Sequence, residues 1–202
     1  MLVLKLCQQF CPEKLTFPLS HRLGDGADGE VFELKDEPNK VIKFCVLYES
    51  SGIDIKGCYA KTSKTLSYIK YNQPQTYARV YDYMYLGEYS RSIERSKNQN
   101  YILYYYVMEK LYKLSEDEKK VFHSIICHED RNKVKNFSIS KIKDMLKGMG
   151  QALDFDEGRV MFFYENLKKT PLHHQDVHVR NIMKDVEGNF KLIDFDRCEL
   201  TH

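Results

Sequence analysis

The sequence predicts an α+β fold in two lobes: an antiparallel five-stranded sheet with one helix over residues 1–110, then a reduced, mainly helical part over 111–202. Three observations predict it. Before residue 110 the chain carries short runs rich in Val, Ile, Tyr and Phe, separated by turn residues. From 115 to 168 the apolar residues fall at helical spacing. From 180 to 194 two short runs return, on either side of Glu187-Gly188-Asn189.

Residues 15–23 and 30–35 read as two strands flanking a Gly-rich turn, and Val41–Leu47 as a third, apolar apart from Lys43. Ser50, Ser51, Gly52 and Gly57 mark a loop. A helix over 57–71 follows, with Ala60, Leu66 and Ile69 on its buried side and lysines toward water. Residues 77–87 and 100–109 make the remaining two strands. The charged stretch from Ser90 to Asn100 lacks apolar periodicity and reads as an exposed loop. Ser115 and Glu118 form a capping-box signature that opens a helix over 116–128. Ser138 or Ser140 opens the next, where Ile142, Met145, Leu146, Met149 and Leu153 keep helical spacing. A further helix covers 157–168 and is stopped by Pro171. Short strands near 180–184 and 190–194 end the pattern.

The 202 residues suffice for one compact unit or two small lobes, and the 43% apolar content supports a core. Thirty-one Lys and Arg against 29 Asp and Glu leave a net +2, which gives no electrostatic reason to expect nucleic acid or an anionic membrane as partner. Cys7, Cys11, Cys45, Cys58, Cys127 and Cys198 form no paired framework and read as reduced structural thiols. Cys7 and Cys11 with His21 lack the second ligand pair a zinc site needs. No run approaches the ~20 apolar residues of a membrane span. Met1–Leu6 is too short for a signal h-region. A soluble cytoplasmic monomer is the expectation.

Two stretches carry chemistry. The first is Gly24-Asp25-Gly26-Ala27-Asp28-Gly29-Glu30-Val31. A GxGxxG run also marks dinucleotide-binding turns, but there it leads into a helix. Here Val31–Leu34 continues as a strand, so the glycines belong to a hairpin where backbone N–H groups can approach an anion. Asp25 and Asp28 suit such a loop only if they point away. Lys43, alone in an apolar strand, needs an anionic partner if it faces inward. It shares parity with Val41 and Cys45, so a solvated face also fits the alternation. The second stretch is His174-Gln175-Asp176-Val177-His178-Val179-Arg180-Asn181, followed after twelve residues by Asp194-Phe195-Asp196.

Together, Gly24, Gly26, Gly29, Val31, Lys43, Met108-Glu109, His174-x-Asp176-x-His178-x-x-Asn181 and Asp194-Phe195-Asp196 resemble the protein-kinase-like superfamily, from residue 23 to 196. The HxDxHxxN loop is similar to that of aminoglycoside and choline phosphotransferases, and the Gly-rich loop to that of protein Ser/Thr kinases. The small size is similar to minimal bacterial effector kinases and phage-encoded kinase-like proteins.

The resemblance implies ATP and Mg²⁺ as cofactors. It implies that Gly24, Gly26, Gly29 and Val31 cover the phosphates and that Lys43 contacts them. Met108 would lie near the rear of the adenine pocket, with Glu109, Lys110 and Leu111 as the hinge. Asp176 would accept the proton of, or orient, the attacking hydroxyl. Asn181 and Asp194 would hold Mg²⁺, whose preference is for hard oxygen donors. His174 would pack beneath the loop, and His178 stays open between a catalytic and a structural role. There are departures. No Glu occurs between Glu49 and Glu88, so Glu49 or Asp54 is left as the acid for Lys43. Asp196 replaces the usual Gly, and the eight residues after Asp194 hold no activation segment, so constitutive competence is expected.

The implied function is transfer of the ATP γ-phosphate to a Ser/Thr hydroxyl of a protein substrate, in the cytoplasm, or in the host cytoplasm for a secreted effector. The alternatives are a small-molecule, aminoglycoside-like phosphotransferase, which His178 favours, and a nucleotide-binding pseudokinase, which the missing Glu favours.

Overall fold

Five β-strands pair antiparallel in the order β1-β2-β3-β5-β4: β1 (Leu19–Gly26), β2 (Gly29–Leu34), β3 (Glu37–Tyr48), β4 (Val80–Glu94) and β5 (Lys97–Glu109). The computed structural model describes residues 3–26, 29–49, 53–94, 97–128, 138–150 and 152–201. The chain divides into two compact units, Met1–Leu66 with Val80–Lys110, and Ser67–Arg79 with Leu111–His202.

In the first unit, strand alternation sorts side chains onto two faces of the sheet. Phe32, Ile42, Phe44, Leu103, Tyr105 and Val107 are buried together on one face. That face is covered by α1 (Val3–Phe10), which buries Val3, Leu6 and Cys7 against it. The sequence reading assigned no helix there. Eight residues are too few to declare a period, and the helix is stable because the sheet supplies its apolar partner. Its first turn is held by Glu30, whose carboxylate accepts from the Leu4 N–H at 2.8 Å and pairs with the Arg22 guanidinium at 3.1 Å. The buried thiols of Cys7 and Cys11 lie one turn apart, with Cys11 Sγ donating to the Cys7 carbonyl at 3.1 Å. Burial pushes the Cys7 thiol up to about 12 and raises Cys11 as well. His21 pairs with Glu33.

On the opposite face, α2 (Ile55–Asn72) sets Tyr59 against Tyr104 and Tyr85 of β5 and β4. Leu66 and Ile69 are buried as expected, but Ala60 is exposed, and Thr62 and Thr65 fill the buried stripe instead. Residues 62, 65, 66 and 69 share one face at helical spacing, and Ala60 falls outside that arc. The expected loop from Ser90 to Asn100 is corrected too. β4 and β5 continue as a ladder in which Ser90 faces Asn100, Arg91 faces Gln99 and Glu94 faces Lys97. Backbone pairing satisfies N–H and C=O groups whatever the side chains are, so a polar hairpin leaves no apolar signature.

The second unit holds α3 (Glu116–His128), α4 (Ile139–Met149) and α5 (Glu157–Lys169). The capping box closes as the sequence predicts: Glu118 N–H donates to Ser115 Oγ at 3.2 Å, and Ser115 N–H to Glu118 Oε2 at 2.6 Å. Ser138 rather than Ser140 caps α4, and Asp156 caps α5. Phe122, Phe163, Tyr164 and Phe190 meet edge to face or tilted at the centre of this unit. Two small ribbons complete it: β6 (Leu172–His174) with β9 (Cys198–Leu200), and β7 (Ile182–Lys184) with β8 (Phe190–Leu192). The sequence reading lacked β6 and β9, which at three residues each are too short to alternate visibly. Among the described residues no helix is long and apolar enough to cross a membrane.

Candidate active site

The β1–β2 hairpin brings the glycines into register: Gly26 faces Gly29, Asp25 faces Glu30 and Gly24 faces Val31. Ala27 and Asp28, at its tip, lie outside the described residues. Asp25 is turned to Arg22, at 2.7 Å. The glycines differ in what they permit. A Cβ on Gly29 would stand 2.6 Å from the Phe44 carbonyl oxygen and 3.0 Å from Lys43 Cε, so this glycine lets β2 close onto β3 beside the lysine stem. A Cβ on Gly24 meets nothing within 4 Å.

Register places Val31, Lys43 and Tyr106 in one row across three strands, on one face of the sheet. Lys43 is half-buried, and its Nζ lies 5.7 Å from the Tyr106 ring centroid, a weak cation–π contact. Of the two acids left for Lys43, Glu49 accepts from the Asn100 amide at 2.6 Å and Asp54 accepts from the Lys56 N–H at 3.1 Å in the first turn of α2. Met108 is buried and faces Val41 on one side and Val80 on the other. Glu109 faces Lys40 at the end of β5. The Lys110 N–H donates to the Asn39 carbonyl at 2.8 Å, and its ammonium pairs with Glu33, whose carboxyl is held below the usual range by that bond. Leu111 begins the second segment of the second unit and is half-buried.

In the second unit the polar loop is built around a buried histidine. His174 ends β6 and is 1% exposed. Its Nε2 lies 2.9 Å from the Ile193 carbonyl oxygen, and its Nδ1 accepts from the Asp176 N–H at 3.2 Å. A carbonyl only accepts and an N–H only donates, so the ring is neutral with its proton on Nε2. Burial depresses its pKa, against smaller raising effects from the Ile193 bond and from Asp194 and Asp176.

Asn181 closes the loop from the other side. Its amide nitrogen donates to the Asp176 carbonyl at 2.9 Å, which fixes which end of the amide is the oxygen. Its main-chain carbonyl accepts from the Ile193 N–H at 2.9 Å. Ile193 therefore ties together His174 and Asn181, and Asp194 follows it. Asp194 sits in the left-handed region at φ 68°, ψ 65°, a conformation that a non-glycine residue adopts at a cost. Phe195 behind it is fully buried. With its backbone held at both ends, the Asp176 side chain remains 49% exposed.

His178 takes a defined place. Its Nδ1 accepts from the Arg180 N–H at 3.2 Å, so in the neutral ring Nε2 carries the proton, 3.6 Å from Asp176 Oδ2. The sequence left this role open. Two participants escaped it altogether: the Ile193 backbone, which has no side-chain signature, and Arg197, which lines an open cavity with Asp176.

The residues that would hold Mg²⁺ are Asn181, through its amide oxygen, and Asp194, through its carboxylate, both hard oxygens. Among the described residues no cluster of three or more His, Cys, Asp or Glu could hold a metal. A pair of donors fits a cation that keeps water and substrate phosphates as its other ligands.

Among solved structures, the ROP18 kinase domain in complex with AMP-PNP and sucrose matches this chain with a TM-score of 0.50 at 14% identity, over 90% of its residues. The chain spans about half, 52%, of that chain. No protein-family model and no curated protein matches the sequence. At that identity the likeness concerns architecture: the α+β fold, with its five-stranded antiparallel sheet, is protein-kinase-like.

Proposed function

We propose that this protein is a phosphotransferase that moves the γ-phosphate of Mg²⁺–ATP to a Ser or Thr hydroxyl of a protein. The observation that carries the proposal is the hydrogen-bonded circuit of His174, Asp176, Asn181 and Ile193. It commits His174, Asn181 and Ile193 to holding the backbone of one residue whose carboxylate is half-exposed. ATP with Mg²⁺ supplies the transferable phosphoryl group and the charge that stabilises its transfer. Asp176 orients the acceptor hydroxyl and takes its proton, in a reaction that asks mostly for positioning. Asn181 and Asp194 hold the cation, and Lys43 with the Gly24–Val31 hairpin holds the phosphates. Met108, Glu109, Lys110 and Leu111 take the nucleobase, with the Lys110 N–H already engaged by Asn39.

A second reading, transfer to a small-molecule hydroxyl, is favoured by His178 Nε2 at 3.6 Å from the Asp176 carboxylate. One assay separates the two: labelled γ-phosphate offered with Mg²⁺ to a protein lysate and to a panel of aminoglycosides. Asp176→Ala is expected to abolish label in protein bands, by about 10²-fold or more, with ATP binding retained. Asp194→Ala is expected to abolish it and weaken Mg²⁺–ATP binding. Undiminished transfer in either variant sinks the site assignment. Label confined to small molecules makes the second reading correct.

A further inference from the structure

We propose that the cavity beside Asp176 selects an acceptor hydroxyl flanked by an anionic side chain, and that Arg197 recognises that anion. The inference rests on the phosphotransfer reading above and names its substrate class.

The open cavity, of about 530 Å³, is lined by His173, Gln175, Asp176 and Arg197. Two separate chain segments meet there. Pairing of β6 with β9 sets His174 opposite Cys198, and the Gln175 N–H donates to the Arg197 carbonyl at 2.8 Å. Arg197 is thereby anchored through its backbone while its side chain is exposed. Arg22, by contrast, pairs with Asp25 and Glu30, and Arg159 with Asp156. Among the described residues no carboxylate pairs with the Arg197 guanidinium.

The cavity thus presents one carboxylate and one guanidinium. The carboxylate repels anions and attracts a hydroxyl proton, so the reacting hydroxyl belongs at Asp176. The guanidinium is a planar fork suited to carboxylate or phosphate, and it repels cations. An acceptor that satisfies both carries a hydroxyl and, next to it, an anion. A Ser or Thr beside Asp, Glu or a phosphorylated residue has that pattern. A polycationic aminoglycoside has the opposite one, and like-charge juxtaposition disfavours it.

The test is γ-phosphate transfer into peptides that differ only in the residues flanking one Ser: Glu, phosphoserine, Ala or Lys. The wild-type protein is expected to show kcat/KM for the anionic peptides about tenfold above that for the Lys peptide, the scale of one charge-assisted contact. Arg197→Glu is expected to invert the order, and Arg197→Lys to keep its sign with weaker discrimination. Each ratio is read within one preparation, so partial loss of folded protein cancels. The better of the Glu and phosphoserine peptides tells which anion the site takes. Asp176-dependent transfer that ignores flanking charge, or an acid preference that survives Arg197→Glu, overturns this inference and leaves phosphotransfer standing. Transfer that survives Asp176→Ala, or that enters only cationic small molecules, overturns both.

Discussion

His174 shows how one buried ring sets the chemistry of its neighbours. Its Nδ1 accepts from the Asp176 backbone, and its Nε2 proton bonds Ile193. Protonating Nδ1 would replace that acceptor with a second donor aimed at an N–H. Burial depresses the folded-state pKa below the ordinary 6.5. The unfolded chain then takes up a proton that the folded chain refuses. The ring's contribution to stability is complete above about pH 6.5 and declines as pH falls from there toward the depressed folded value. Urea denaturation at pH 8, 6.5 and 5 is expected to show a steeper loss for the wild type than for His174→Gln. Equal slopes would mean that the ring is not held neutral. Asp194 is the complementary case, a residue kept in a left-handed conformation by the Ile193 bonds before it and the buried Phe195 after it.

At the scale of elements, the β1–β2 hairpin separates two duties that the sequence motif presents as one. Gly29 is a packing glycine, because a methyl there meets the Phe44 backbone and the Lys43 stem. Gly24 has open space, so a methyl there is tolerated by the fold. Gly29→Ala is expected to cost about 1–3 kcal/mol of stability through overpacking. Gly24→Ala is expected to stay within about 0.5 kcal/mol while weakening nucleotide binding, since backbone there approaches phosphate in the proposed function. Denaturation midpoints beside ATP affinities for the two variants check this, and equal stability losses would contradict it. The same unit shows why α1 exists: the face bearing Phe32, Ile42 and Phe44 is apolar, and the helix covers it, tied down by Glu30.

At the scale of the molecule, a protein-kinase-like architecture is assembled from two units, each with its own apolar centre. One unit holds Lys43 and the glycine hairpin, and the other holds Asp176, Asn181 and Asp194. A ligand that binds only the native state raises its stability by mass action, by about 2.7 kcal/mol at a concentration a hundred times Kd. For a chain of this size Mg²⁺–ATP is therefore expected to raise Tm by about 5–10 °C. ATP with EDTA is expected to raise it less, and Asp194→Ala to erase the difference between the two. A melting curve indifferent to Mg²⁺–ATP would remove nucleotide binding from the proposal.

The α+β class, the capping box at Ser115 and Glu118, and the Asp176–Asn181–Asp194 spacing were legible in the sequence because each is local. A capping box spans four residues, helical and strand periods repeat within a dozen, and a loop motif is contiguous by nature. What escaped was decided by partners distant in the chain or by backbone pairing that leaves no mark on the side-chain pattern. α1 needed the sheet face, the polar hairpin beyond Ser90 needed only backbone pairing, and β6 needed β9. His174 acquired its tautomer from Ile193, nineteen residues away, and Arg197 came beside Asp176 through the pairing of two three-residue strands. A sequence lists which residues carry chemistry. Only the tertiary structure decides which backbone groups orient them and which side chains share their cavity, because hydrogen bonds and burial act through space.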